Sequence, residues 1–146
     1  GDAFRCGEAG HMTLIPDGKP CYCGKTGCVD AYCSARLLSD LSGGRLEDFF
    51  LGLQQNNPDY RSVWDTYLKH LAVVINNLHM LLDYDIVLGG YVGSFLTPWL
   101  DTIRHLVAER NTFEDDGSFV KLCTYQTGAA AYGAAMDVME EFLRTV

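Results

Sequence analysis

The chain has 146 residues, with 11 Lys and Arg against 19 Asp and Glu, which gives a formal net charge of −8. Apolar residues make up 48% of it, which excludes a disordered chain and predicts a single globular domain over residues 1–146. No apolar run reaches the ~20 residues of a membrane span, and the acidic balance disfavours direct contact with nucleic acid phosphates.

The first half of the chain predicts a loop followed by helices. A Gly-, Pro- and Cys-rich stretch contains one short β-like run over 12–15, and helical patterns follow over 29–38 and 46–54. Asn57 is predicted to cap the next helix, with Pro58 at its first position. That long helix repeats apolar residues at helical spacing: Trp64, Tyr67, Leu68, Leu71, Val74, Ile75, Leu78 and Leu82.

The second half alternates between strand and helix patterns. A β run over 84–88 ends at a Gly-Gly pair, and a helix is predicted over 96–109. A second strand pattern over 119–125 precedes an Ala-rich helix over 128–143. This order predicts an α/β layer with parallel strands.

Six cysteines bear on the compartment and on metal binding. Three of them, Cys21, Cys23 and Cys28, lie within eight residues, and no export signal precedes them. Clustered thiols without an export signal indicate metal binding in a reducing, cytoplasmic compartment rather than a disulfide framework. The remaining thiols have no partner at ligand spacing and are predicted to be small buried apolar residues: Cys6, Cys33 and Cys123.

A histidine completes the candidate metal site. His11 precedes Cys21 by ten residues, and one imidazole with three thiolates matches a tetrahedral Zn²⁺ site of the Cys₃His type. Because all four positions are filled by protein ligands, the zinc is predicted to be structural. Gly24 and Gly27 allow the loop to fold back on the ion.

These motifs resemble those of a known family. Glu8-x-Gly10-His11 followed by Cys21-x-Cys23-Gly24-x-x-Gly27-Cys28 resembles the signature of the ROK family, which contains bacterial sugar kinases and sugar-responsive transcriptional repressors. Residues 86–90 and 128–133 also match the family in order. The resemblance implies the actin-like ATPase or ribonuclease-H-like α/β fold, of which this chain is expected to be the C-terminal lobe. That lobe comprises a zinc loop (7–30), a helical part (29–82) and an α/β part (84–146).

The resemblance also implies sugar contacts. His11 and the three loop cysteines match the family's zinc ligands, and Glu8 and His11 match residues that contact sugar hydroxyls. Asp30 stands where the family usually has Glu, so it is a third candidate contact, and its alternative is a favourable charge at a helix N-terminus. A carboxylate accepts hydrogen bonds from two adjacent hydroxyls. A zinc-bound histidine keeps its second N–H as an oriented donor.

A nucleotide site is the weaker expectation. Gly89 and Gly90 follow a predicted strand, where kinases of the family bind ATP. Tyr91 stands where those kinases tend to have a further glycine. We therefore expect ATP as a cofactor only if the chain belongs to a kinase.

Other parts of the protein are expected outside this sequence. The chain begins at Gly1 without Met, and the catalytic Asp and phosphate loops of the family's kinases lie upstream of the matched motif. The chain alone is therefore expected to lack kinase activity, and its expected partners are an N-terminal lobe and a second copy of the protein.

Three functions are compatible with these observations. Tyr91 and Asp30 favour the sugar-binding portion of a transcriptional regulator of the xylose-repressor or N-acetylglucosamine-repressor type. Its effector would be a sugar or sugar phosphate, and DNA would be contacted by a region outside this chain. One alternative is the C-terminal lobe of an ATP-dependent, glucokinase-like sugar kinase. The other is a zinc-stabilised assembly module without a ligand.

Overall fold

The computed structural model describes residues 7–145. Backbone contacts divide the chain into two compact units, residues 1–81 and residues 82–146. The first unit contains the predicted zinc loop and the helices after it, and the second contains the strands. The single domain over 1–146 stays a prediction.

The zinc loop contains little regular structure. A single 3₁₀ turn covers Ala9–His11, and isolated antiparallel bridges join Thr13 to Cys28 and Pro20 to Thr26. The strand predicted over 12–15 is therefore wrong. The N–H groups of Leu14 and Ile15 both donate to the carbonyl of Gly27, at 2.7 and 3.1 Å, so the run lacks the extended partner that a ladder requires.

Four helices follow the loop. They are α1 (Asp30–Cys33), α2 (Ala35–Asp40), α3 (Leu46–Gln54) and α4 (Pro58–Leu82). The one helix predicted over 29–38 is two, because Ser34 is extended and its hydroxyl accepts the N–H of Leu37 at 3.3 Å, which starts a new helix. The predicted start of α4 is confirmed: the Asn57 side chain accepts the N–H groups of Asp59 and Tyr60 at 3.0 and 3.2 Å.

Aromatic side chains form the core between α3 and α4. Trp64 is fully buried, stacks on Tyr67 and meets the rings of Phe49 and Phe50 edge-on. These two positions of α4 are thus core residues, as its apolar pattern predicts. Burial of rings of this size stabilises the first unit by several kcal/mol per residue, on the order of 3–5 for Trp.

Two tyrosines attach the loop and helix α1 to this core. The backbone N–H of Lys19 donates to the Tyr32 hydroxyl at 2.7 Å, and Tyr32 meets the His70 ring of α4 edge-on. Tyr67 donates to the carbonyl of Cys33 at 2.9 Å. A Cβ at Gly18 would lie 2.1 Å from the Tyr32 hydroxyl, so glycine is required for this approach.

The second unit is built on two short parallel strands, β1 (Ile86–Leu88) and β2 (Val120–Leu122), with Ile86 opposite Val120. The predicted parallel pairing is confirmed. Between them, the helix predicted over 96–109 begins only at Leu100, because Thr97–Trp99 forms a 3₁₀ turn around Pro98. The helices of this unit are α5 (Gly90–Gly93), α6 (Leu100–Ala108) and α7 (Ala129–Thr145). Within residues 7–145, no helix has both the length and the apolar character needed to cross a bilayer.

Candidate functional site

The four predicted metal ligands converge in the zinc loop. The donor atoms of His11, Cys21, Cys23 and Cys28 all lie within 4.8 Å of one another. The Sγ atoms of Cys23 and Cys28 are 3.7 Å apart, and His11 Nδ1 is 3.9 Å from Cys21 Sγ. The fold thus brings together side chains separated by as many as 17 positions (28 − 11) in the sequence.

Backbone turns produce this convergence. Cys21 accepts the N–H of Gly24 at 3.0 Å and donates its own N–H to Lys25 at 2.8 Å, which folds the loop back between two ligands. Gly27 has φ +79°, and a Cβ there would lie 1.9 Å from the carbonyl oxygen of Ile15. Only glycine fits this position, which agrees with the prediction that Gly27 allows the loop to fold back.

The donor set fits a zinc ion. The Sγ atoms of Cys23 and Cys28, 3.7 Å apart, are too distant for a disulfide bond of about 2.05 Å. Two sulfurs at about 2.3 Å from one Zn²⁺ in a tetrahedron lie about 3.8 Å apart, close to this separation. The cluster can therefore hold a metal ion with four protein ligands.

The surroundings of two loop thiols shift their pKa values in opposite directions. Burial raises the pKa of Cys28 to about 11, and its side chain is only 2% exposed. A backbone hydrogen bond from Lys25 lowers the pKa of Cys23, whose side chain is exposed. Because a metal binds the thiolate, it must displace a proton from Cys28 at neutral pH, so metal binding strengthens as pH rises.

The opposite side of His11 faces the predicted sugar contacts. With Nδ1 toward the thiols, Nε2 lies 3.4 Å from the Tyr22 hydroxyl, which donates to Asp30 Oδ2 at 2.9 Å. The hydrogen bond to Asp30 raises the pKa of Tyr22, so its proton stays on the hydroxyl at neutral pH. A Cβ at Gly10 would lie 2.6 Å from Asp30 Oδ1, which places the carboxylate directly against the histidine turn.

Glu8 and Asp30 are the two predicted carboxylate contacts. Glu8 is exposed and immediately precedes the 3₁₀ turn that carries His11. Asp30 is the first residue of α1, so the helix-terminal position considered for it is also observed. A cleft of about 320 Å³ opens beside Asp30, with Tyr22, Ser34 and Arg36 in its lining. Tyr22 is a member of this site that residue type and spacing did not predict, although a tyrosine between two candidate zinc ligands in a glycine-rich loop is a usable signal.

The predicted nucleotide turn lies in the second unit. Gly90 opens α5 with φ +70°, and a Cβ at Gly89 would lie 3.0 Å from the Cys123 Cβ. The Tyr91 side chain is 74% exposed, so it does not pack into the turn. Gly89 and Gly90 stay predicted nucleotide contacts.

The other cysteines are less buried than expected. Cys33 and Cys123 are half-buried, and burial raises the pKa of Cys33 to about 12. The prediction for Cys6 lies outside the described residues. Cys33 is thus protonated at neutral pH, which favours neither metal binding nor nucleophilic chemistry there.

The sequence profile of the ROK family matches residues 1–141. The chain belongs to the ROK family. Among curated ROK relatives, the glucokinase of Halalkalibacterium halodurans is 27% identical to it, over 92% of this chain and 48% of that protein. The N-acetylmannosamine kinase of Escherichia coli O7:K1 is 30% identical, over 94% of this chain and 48% of that protein. The chain spans about half the length of these curated relatives.

Two solved structures resemble this ROK chain. A ROK hexokinase from Thermus thermophilus matches with a TM-score of 0.58 and 25% identity, over 72% of this chain and 38% of that one. A ROK family glucokinase from Streptomyces griseus, solved with glucose and AMPPNP, matches with a TM-score of 0.65 and 20% identity, over 84% of this chain and 47% of that one. The expected actin-like α/β fold is confirmed.

The regulator interpretation is wrong. The relatives above are sugar kinases, and the structural neighbours are a hexokinase and a glucokinase. The regulator and repressor assignments depended on Asp30 and Tyr91. Asp30 lies against Gly10 in the turn that carries His11, and the Tyr91 ring is exposed.

Proposed function

We propose that this chain forms the sugar-binding part of an ATP-dependent ROK sugar kinase. Support comes from the family match, the kinase relatives and the placement of Asp30 against Gly10, in the turn that carries His11. The chain spans about half the length of those relatives, and the proposed kinase takes its catalytic base and phosphate loops from its other half.

The orientation of His11 is the observation that carries this proposal. Nδ1 points toward Cys21 Sγ, and Nε2 points toward the Tyr22 hydroxyl on the Asp30 side of the loop. A metal bound through Nδ1 would leave the ring proton on Nε2. An N–H donor beside a carboxylate acceptor matches the donor and acceptor capacity of a sugar hydroxyl. Glu8, exposed at the start of the same turn, supplies a second carboxylate for an adjacent hydroxyl.

Zinc has a structural part in this proposal. Zn²⁺ would be held by four side chains: His11, Cys21, Cys23 and Cys28. The bound ion would cross-link the loop and fix the tautomer of the histidine. With four protein ligands the ion has no open position for substrate. The sugar is therefore read by side chains that the metal orients.

ATP is the proposed second substrate. Gly90, at φ +70°, presents backbone without a side chain just after β1 ends, and a Cβ built there would meet nothing within 4 Å beyond its chain neighbours. The carboxyl ends of parallel strands are the usual place for nucleotide binding in α/β proteins. The free, closely spaced thiols of the loop support a reducing, cytoplasmic location for the proposed kinase.

The decisive experiment measures ATP-dependent phosphorylation of hexoses and N-acetylhexosamines by the full-length protein. Glu8→Gln and Asp30→Asn should each raise KM for the sugar by about tenfold or more, because each removes a charged acceptor. The matched control is Asp48→Asn, which changes an exposed carboxylate on α3 that pairs with Arg45. This control should leave KM for the sugar unchanged. Absence of turnover on every sugar, with zinc bound, would contradict the proposal and favour a zinc-stabilised assembly module.

A further inference from the structure

We infer that Tyr22 is a positioning residue of the sugar site, which holds the Asp30 carboxylate in the orientation that accepts a sugar hydroxyl. The inference rests on the proposed sugar-binding role of Asp30. Tyr22 lies between two candidate zinc ligands in sequence, and it is neither a metal ligand nor one of the predicted sugar contacts.

Tyr22 contacts two of the three predicted sugar-contact residues. Its hydroxyl donates to Asp30 Oδ2 at 2.9 Å and lies 3.4 Å from His11 Nε2. Its ring meets the His11 imidazole edge-on, with centroids 5.2 Å apart and planes at 65°. One side chain thus spans the proposed donor and the proposed acceptor.

The exposure of Tyr22 argues against a packing role. Its side chain is 75% exposed, whereas Tyr32 and Tyr67 in the same unit are 6% and 3% exposed. A tyrosine that stabilises a core buries its ring, as those two do. The energetic effect of the Tyr22 hydroxyl is therefore concentrated on the carboxylate that it contacts.

The geometry explains how this contact orients Asp30. The carboxylate lies against the α-carbon of Gly10 on one side, where no side chain supports it, and meets the Tyr22 hydroxyl at Oδ2. A hydrogen bond at Oδ2 limits rotation of the carboxylate and leaves lone pairs of Oδ1 for a sugar hydroxyl. The 3.4 Å contact with His11 is long for a hydrogen bond, so Nε2–H stays available to the substrate.

This arrangement lowers the conformational entropy that Asp30 loses when sugar binds. Preorganised acceptors bind more tightly because their ordering precedes the encounter with the ligand. The proposed part of this contact is in sugar binding and not in phosphate transfer. Its loss should therefore raise KM and Kd for the sugar while leaving kcat nearly unchanged.

The test uses the full-length protein with Tyr22→Phe, Asp30→Asn and the double variant. Tyr22→Phe should raise KM, and the Kd for D-glucose or N-acetyl-D-mannosamine by calorimetry, by about three- to tenfold. The kcat should stay within about twofold. In the Asp30→Asn background the same change should have little further effect, because the two side chains act as one unit. Tyr60→Phe, which removes an exposed hydroxyl bonded to the Leu41 carbonyl, is the matched control.

The outcomes separate this inference from the proposed function. Turnover with unchanged KM and Kd in Tyr22→Phe overturns the inference alone, as does an equal effect in the Asp30→Asn background. Loss of zinc from Tyr22→Phe also overturns it, since the residue would then be structural. If the wild type binds sugar without turnover and Tyr22→Phe weakens that binding, the inference is supported and the proposed kinase activity is contradicted. Absence of both binding and turnover overturns both.

Discussion

The loop over residues 7–30 and the helices α3 and α4 achieve order in different ways. In the helices, aromatic rings are removed from water: Phe49 and Trp64 are fully buried. In the loop, Met12, Tyr22 and Cys23 are exposed, and four donor atoms within 4.8 Å of one another form its centre. Hydrophobic burial therefore stabilises the helices, and metal coordination is expected to stabilise the loop that carries the proposed sugar contacts.

Removal of a metal ligand should have the largest effect on the loop. Cys28→Ser should weaken zinc binding by more than the about 10- to 100-fold cost of changing an outer-shell partner, because it removes a direct ligand. Elemental analysis should then find less than half a zinc per chain, and the loop should become sensitive to proteolysis.

The same variant tests the contrast with the helices. Circular dichroism should retain the α3 and α4 signal in Cys28→Ser, and Cys33→Ser, at a half-buried position outside the cluster, should keep full zinc content. Loss of the helical signal together with the metal would show that the helices depend on the loop, against the contrast drawn above.

Removal of the central ring should have the largest effect on the helices. Trp64→Ala should lower the free energy of unfolding by about 3–5 kcal/mol, because the ring is fully buried among Phe49, Phe50 and Tyr67. Chemical denaturation of the zinc-loaded protein measures this loss. A change below about 1 kcal/mol would indicate that the aromatic cluster does not dominate stability here.

A smaller effect is expected where α4 meets α1, the helix that follows the loop. Tyr67→Phe removes the donor to the Cys33 carbonyl at 2.9 Å and should cost about 1 kcal/mol of unfolding free energy. Phe keeps the ring in the core, so zinc content should not change. Tyr60→Phe serves as control, since its hydroxyl is exposed and should contribute less.

The smallest expected effect is a pH dependence. Burial first, and the charge of Lys19 second, lower the pKa of His70 below its ordinary value of 6.5. The unfolded chain then binds a proton more readily than the folded one, so stability is full above pH 6.5 and falls as pH drops toward the folded pKa. The slope of unfolding free energy against pH, between pH 5 and 7, should be shallower in His70→Gln than in the wild type. Equal slopes would contradict this role.

The sequence allowed much of the fold to be predicted where one residue pattern determines one local structure. The capped start of α4 at Asn57 and Pro58 follows from side-chain hydrogen bonds between near neighbours, and the buried positions Trp64 and Tyr67 follow from helical periodicity. Predictions failed where a single residue made a hydrogen bond that the local pattern does not show. The carbonyl of Gly27 replaced a strand partner at 12–15, and Ser34 divided a helix by capping its second half.

The candidate site divides in the same manner. Its ligand set, His11 with Cys21, Cys23 and Cys28, could be named from residue types and spacing, because few ions other than zinc suit one imidazole and three thiolates. The role of Tyr22 could not, since its bond to Asp30 depends on where the loop folds back against α1. The regulator interpretation drew in part on Asp30 and Tyr91, two single residues whose surroundings the sequence does not specify, and the kinase relatives contradict it.

The family, the donor set and the long amphipathic helix can be predicted from the amino-acid sequence, because each depends on residue identity at fixed spacing. The three-dimensional structure was needed to show that Nδ1 of His11 faces the thiols and that Nε2 faces Tyr22. It was also needed to show that Tyr22 bonds to Asp30. The positions of these side chains depend on the φ, ψ and side-chain torsions of many residues in a loop that lacks a regular hydrogen-bond pattern. Such a loop has no period that a sequence pattern can display.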